Sequence, residues 1–100
     1  TNKAWDLLKN GTNYVLKISD DYAKQAMREF YYPQDSDKRI ISGESGAAGL
    51  GGFLTILKES KMKLIKEDLK INNSSNILFI NSEGDTDKEV FSDIINSSIL

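Results

Sequence analysis

Residues 42–52 read Ser-Gly-Glu-Ser-Gly-Ala-Ala-Gly-Leu-Gly-Gly and hold five of the chain's seven glycines. No other stretch limits the fold as strongly. A glycine inside a helix costs about 1 kcal/mol relative to alanine, so such a cluster persists only where bulk is not tolerated. Without a Cβ, backbone lies directly against a neighbouring element or a flat ligand. Tight helix-on-sheet packing and close approach to a ligand both remain open from the residues alone. The segment lacks the Gly-Lys-Ser/Thr of a phosphate-binding P-loop, and its spacing is not that of the dinucleotide fingerprint. Phe53-Leu54-Thr55-Ile56-Leu57 follows, so a helix is predicted over residues 46–59.

Around this helix the pattern alternates. Residues 4–9 carry Trp5, Leu7 and Leu8 and meet Asn10-Gly11, the end of a helix with Gly11 as a left-handed C-cap. Tyr14-Val15-Leu16-Lys17-Ile18 is β-branched and aromatic, and reads as a strand. Ser19 or Asp20 then caps a helix whose Tyr22, Ala23, Ala26, Met27, Phe30 and Tyr31 form one apolar stripe. Pro33 ends that helix, because the residue before a proline is pushed out of helical geometry. A polar loop over residues 34–38, a short helix over 62–69 and an Asn/Ser-rich turn over 72–76 come next.

Ile77-Leu78-Phe79-Ile80 is unbroken apolar sequence, the signature of a strand buried on both faces of a parallel sheet. Thr86 with Glu89 forms a capping-box pattern before a last helix that buries Val90, Phe91, Ile94 and Ile95. The expected fold class is therefore α/β, a small, mostly parallel sheet fragment flanked by helices.

Composition narrows the chemistry. The 100 residues suit one small domain or a part of a larger one, and a unit of this size is marginally stable. With a formal net charge of −2 and interspersed signs, the chain shows no basic stripe for nucleic acid or an anionic membrane. Cysteine and histidine are both absent, which removes disulfides, Cys/His zinc sites and His-based triads from these residues and fits a cytoplasmic setting. No secretory leader and no membrane-length apolar run is visible. No metal site is expected, and the start at Thr1 suggests a piece of something longer.

Two places could carry chemistry. Glu44 stands between glycines at a helix start, where the dipole alone favours a carboxylate; the alternative is a carboxylate held beside a cofactor ring or substrate amine. Asn81-Ser82-Glu83-Gly84-Asp85 follows the C-terminal end of the second strand, where open α/β sheets bind ligands. An ordinary strand-to-helix loop has the same composition.

These two stretches also carry a resemblance. Ile40-Ile41-Ser42-Gly43-Glu44-Ser45-Gly46-Ala47 and Ile77-Leu78-Phe79-Ile80-Asn81-Ser82-Glu83-Gly84-Asp85-Thr86-Asp87 resemble two segments of the diaminopropionate ammonia-lyases. The flanks, Ala4-Trp5 and Ser19-Asp20 among them, extend the likeness over nearly the whole chain. The family belongs to the fold-type-II pyridoxal-phosphate enzymes, so the resemblance implies the C-terminal portion, residues 1–100, of a tryptophan synthase β-like large domain.

By that resemblance, Ser82 takes the hydroxyl position facing the cofactor's pyridine nitrogen, and Gly43, Glu44 and Ser45 lie along its ring. Gly84 helps shape the same wall, with Glu83 and with Asp85, which departs from the residue often seen there. The implied parent eliminates ammonia from 2,3-diaminopropionate to give pyruvate, binds a small amino-acid substrate and forms a homodimer. The Schiff-base lysine motif and the phosphate-binding glycine loop have no counterpart here. No catalytic residue is therefore expected, and the piece alone should be inactive. A serine or threonine lyase or dehydratase of the same fold type, and a non-catalytic α/β binding module, are the alternatives. Apolar surface is expected to lie bare where the remainder of the parent enzyme packs.

Overall fold

In a computed structural model, which describes residues 2–97, the helical periodicities become five α-helices. They are α1 (Asn2–Gly11), α2 (Asp20–Tyr31), α3 (Glu44–Lys58), α4 (Lys63–Asp68) and α5 (Lys88–Asn96), with a 3₁₀ turn over Ser60–Met62 before α4. The apolar stripe of α2 buries Ala23, Ala26 and Met27, and Asp20 and Asp21 occupy its first turn, where the helix dipole favours acids. Its last turn ends at Tyr31, ahead of Pro33.

The chain then doubles back. Arg39 Nε donates to the Tyr31 carbonyl at 2.8 Å, and its guanidinium lies 4.1 Å over the Tyr31 ring. The Ile40 amide donates to the Phe30 carbonyl at 2.9 Å. These contacts deliver residues 41–43 to the start of α3.

Helix α3 packs on α2 through its glycines. A Cβ on Gly51 would stand 2.9 Å from Ile18 Cδ1, 3.2 Å from the Tyr22 carbonyl oxygen and 3.3 Å from Ala23 Cα, so the α2 backbone and the Ile18 side chain both crowd this position. Ala26, Met27, Ala47, Ile94 and Ile95 form the core, with Phe30, Tyr31, Leu50, Leu54 and Phe91 packed around it. Arg28 Nη1 donates to the Ile94 carbonyl at 3.2 Å and ties α2 to α5.

This core is small for the chain. The accessible surface is 7825 Å², against about 5,700 Å² for a compact monomer of this mass. The radius of gyration, 14.8 Å, also exceeds the ~13 Å typical of a hundred residues. Helix α1 buries no residue, and Trp5, Leu7 and Leu8 are exposed. No described helix is long and apolar enough to cross a membrane.

The α/β expectation is corrected here: among the described residues there is no strand and no sheet. Residues 14–18 and 77–80 keep the side-chain alternation of strands without the ladder. Leu16 and Ile18 turn towards α3 while Val15 is 89% exposed; Phe79 turns towards α3 while Leu78 and Ile80 are 86% and 79% exposed. Strand structure requires a backbone neighbour at about 4.8 Å. The two segments lie on different flanks of α3, with Leu16 over Gly52, Ile18 over Gly51, and Phe79 over Gly49 and Phe53. No backbone hydrogen bond joins them among the described residues. The Tyr14 hydroxyl donates instead to Oδ2 of Asp68, the last residue of α4, and that bond raises the phenol's pKa above its usual value.

Two smaller expectations also shift. Gly11 is not left-handed: no described glycine has a positive φ, and the Thr12 amide continues the helical pattern by donating to Leu8. The left-handed positions fall on Asp35 and Lys70. The cap of α5 is Asp87 rather than Thr86, with Asp87 Oδ1 accepting from the Val90 amide at 3.1 Å. Asp87→Ala should therefore cost about 1 kcal/mol, while Thr86→Ala should leave stability nearly unchanged. Urea titrations of the two variants, followed by helical circular dichroism, check the difference.

Candidate functional site

The two motif segments meet at the N-terminus of α3. Gly43 is the N-cap of that helix in extended conformation, and its amide donates to the Glu83 carbonyl at 2.9 Å. Ser42 is fully buried, and its hydroxyl donates to Asn81 Oδ1 at 3.0 Å with the Gly43 carbonyl within reach at 3.1 Å. Asn81 Nδ2 in turn donates to the Ile41 carbonyl at 3.1 Å. Asn81 thus accepts from one residue of the first motif and donates to its neighbour, and the Glu83 amide also approaches its Oδ1 at 3.4 Å. An amide side chain suits this position because it carries a carbonyl acceptor and an N–H donor on one planar group.

The glycines of the first motif are required by this clasp. A Cβ on Gly43 would overlap Glu83 Oε1 and stand 2.6 Å from the Gly84 carbonyl oxygen. One on Gly46 would overlap Asn81 Oδ1 and stand 2.6 Å from Ser42 Oγ and 2.7 Å from the Glu83 carbonyl oxygen. Close approach of the two motifs is therefore what the bare backbone permits at these positions.

Between the motifs lies a cleft of about 80 Å³, lined by Gly43, Glu44, Glu83, Gly84, Asp85 and Asp87 on its polar side and by Met27, Phe91 and Ile94 beneath. Glu44 sits in the first turn of α3, where the dipole favours its charge. Asp85 pairs with Lys88 at 3.1 Å, and Asp87 is occupied as the α5 cap. No lysine lines the cleft. Among the described residues no group of three or more His, Cys, Asp or Glu comes together as a metal site.

Of the residues singled out in the sequence, Gly43, Glu44 and Gly84 share this cleft, and Ser42 and Asn81 hold its two sides together. Ser45 and Ser82 do not line it: both are exposed, and neither hydroxyl has a hydrogen-bond partner among the described residues. Asn81 and Glu83 reach back to the first motif, and Ser82 between them is left outward. Sequence reasoning had not singled out Ser42 and Asn81 as site residues. Both stand inside the two motifs, but their pairing across 39 positions was not visible in the sequence.

A cleft of 80 Å³ is well below the several hundred Å³ of an ordinary cofactor pocket. The cleft is therefore too small to enclose such a cofactor by itself. What the cleft offers a pyridine-type cofactor is a glycine-lined helix start, while the two free hydroxyls, of Ser45 and Ser82, lie exposed beside it and outside its lining.

No protein-family model matches the chain. It is similar to the diaminopropionate ammonia-lyase of Escherichia coli K12, 34% identical over 91 residues, covering 91% of this chain and 23% of that enzyme. Among solved structures it resembles the E. coli diaminopropionate ammonia lyase in complex with D-serine, with a TM-score of 0.81 and 34% identity over 92% of this chain and 24% of that one. It also resembles the same enzyme in complex with an aminoacrylate-PLP azomethine reaction intermediate, with a TM-score of 0.67 and 36% identity over 77% of this chain and 20% of that one. The likeness carried by the two motifs therefore stands over nearly the whole chain. The chain spans about a quarter of the length of the enzymes it matches.

Proposed function

We propose that the chain is one segment of a pyridoxal-phosphate-dependent ammonia-lyase that converts 2,3-diaminopropionate to pyruvate and ammonia, and that it supplies one wall of the cofactor site. The observation that carries this reading is the clasp: Gly43 bonded to Glu83 at 2.9 Å and Ser42 bonded to Asn81 at 3.0 Å. It holds side by side the two segments through which the chain resembles those enzymes.

In this reading Ser82 holds the cofactor's pyridine nitrogen through its free hydroxyl. A hydroxyl is neutral and both donates and accepts, so it orients the ring without imposing a charge on it. Gly43, Glu44 and Ser45 run along the ring, and the absence of a Cβ at residue 43 keeps the Glu83-Gly84 segment of the same wall close. Gly84 completes the wall. The cofactor, when bound, supplies an electron sink for bond breaking at the substrate α-carbon, and the protein supplies its orientation and surroundings. The reacting lysine and the phosphate cradle belong to the remainder of the enzyme. A cytoplasmic setting accords with a segment free of cysteine.

The test is a spectroscopic titration with pyridoxal phosphate of the complete protein and of the 100-residue chain. Saturable cofactor absorbance is expected for the complete protein alone, together with turnover of diaminopropionate in preference to serine and threonine. Ser82→Ala in the complete protein should lower activity by about tenfold, the equivalent of one lost hydrogen bond near 1.4 kcal/mol. A preference for serine or threonine would replace the substrate assignment, and a complete protein that binds no cofactor would end the reading.

A further inference from the structure

Arg39 lies outside the lining of the cleft between the motifs, yet it is joined to both of its sides. Its Nε donates to the Tyr31 carbonyl at 2.8 Å, and its guanidinium carbon lies 4.1 Å over the centre of the Tyr31 ring. One side chain thus holds one residue by its backbone and by its ring. We propose that Arg39 is a positioning residue for the elimination: by clamping Tyr31 it fixes the glycine side of the cleft through residues 40–43 and the apolar floor through Phe91. The proposal rests on the reading above that these residues form a wall of the cofactor site.

Two routes leave the clamp. Along the chain, the Ile40 amide donates to the Phe30 carbonyl at 2.9 Å, so residues 39 and 40 are both tied to the last turn of α2. Three residues later Gly43 caps α3 and donates to Glu83. The link between them has little freedom. Ser42 is fully buried and bonded to Asn81, and a methyl group on Gly43 would overlap Glu83. A shift at residue 39 therefore finds no loop to absorb it and reaches Gly43 and Glu44. Through space, the Tyr31 ring meets Phe91 edge-on, with centres 5.7 Å apart and planes at 71°. Phe91 lies beneath the same cleft, one turn into the helix that follows the second motif.

The chemistry of the clamp calls for arginine. Tyr31 ends α2, so its carbonyl has no partner within the helix, and a cation is favoured there by the helix dipole. A planar guanidinium donates along its edge while its face stacks on a ring. A lysine ammonium is a point charge and cannot hold both contacts in one fixed geometry. Arg39→Lys therefore keeps the charge and breaks the clamp.

That variant in the complete protein is the test, with Tyr31→Leu and Tyr31→Phe beside it. Without cofactor, amide exchange at Ile40 and Gly43 is expected to quicken at least about tenfold in Arg39→Lys, while the amides of residues 53–57 in α3 keep their rates. Exchange that quickens evenly would report a general loss of stability and overturn the proposal. With cofactor, kcat per bound pyridoxal phosphate should fall about ten- to a hundredfold, the scale of a small misplacement of reacting groups, and KM should change less than about twofold. Tyr31→Leu should lower kcat similarly and Tyr31→Phe should recover most of it, since the ring makes both side-chain contacts. Arg39→Lys combined with Tyr31→Leu should lose little more than the worse single variant. Unchanged kcat in Arg39→Lys, or losses that multiply in the double variant, would overturn the role and leave the enzyme reading intact. A wild-type protein that binds no pyridoxal phosphate would end that reading and the role in the reaction together.

Discussion

Gly46→Ala is expected to destabilise the chain by about 1–3 kcal/mol, although alanine is the better helix former. The added methyl would overlap Asn81 Oδ1 and press to 2.6 Å from Ser42 Oγ and 2.7 Å from the Glu83 carbonyl oxygen. The first two atoms are bonded to each other and the third is backbone, so none yields without opening the clasp. Gly49→Ala, in the same helix, is the comparison. There the methyl would meet only Phe79 Cδ1 at 3.4 Å, an ordinary contact. Helix propensity then decides the sign, and the variant should gain about 0.5–1 kcal/mol. Urea midpoints of the two variants should move in opposite directions; a shift in the same direction would mean that the motifs do not meet as described.

The second large effect belongs to Asn81. Asn81→Ala should cost about 1–3 kcal/mol, because it removes the acceptor of a fully buried serine hydroxyl and the donor to the Ile41 carbonyl. Ser42→Ala removes one partner of the same bond, so the double substitution should cost less than the sum of the single ones, by at least about 0.5 kcal/mol. Additive losses would show the two side chains to be independent. In the complete protein the same substitution should weaken cofactor binding while leaving Ser82 and the glycines in place, since what it loosens is the register of the two motifs.

Much of the helical order was legible in local sequence. The stripe from Tyr22 to Tyr31, the stop before Pro33 and the small-residue run into Phe53 each depend on residues within a few turns of one another. The sheet was misread for a physical reason. Periodicity along residues 14–18 and 77–80 records which side chains turn inward, and that part is correct; whether the backbone forms a ladder depends on a neighbour, and among the described residues neither segment makes a backbone hydrogen bond to one. The α5 cap moved from Thr86 to Asp87 because both are competent acceptors and the loop before them sets which one reaches the Val90 amide.

The candidate site divides similarly. The resemblance marked the two segments, and Gly43, Glu44 and Gly84 do come together. The bonds that hold them run between Ser42 and Asn81, residues whose types are common in loops and whose partnership appears only once the chain is folded. No local rule of spacing connects positions that far apart.

The glycines of α3 have no positive φ among them, and this changes what sort of information that helix stores. Its bare positions are a record of clearances, each as wide as whatever lies opposite. Where backbone or a bonded polar group would overlap the added carbon, as at residues 43 and 46, the tolerance is nearly nil; where a ring or a methyl stands at ordinary contact distance, as at 49 and 52, there is slack. A helix written this way admits drift in its composition on one side only, and the side that refuses it is the one that keeps the two motifs in step.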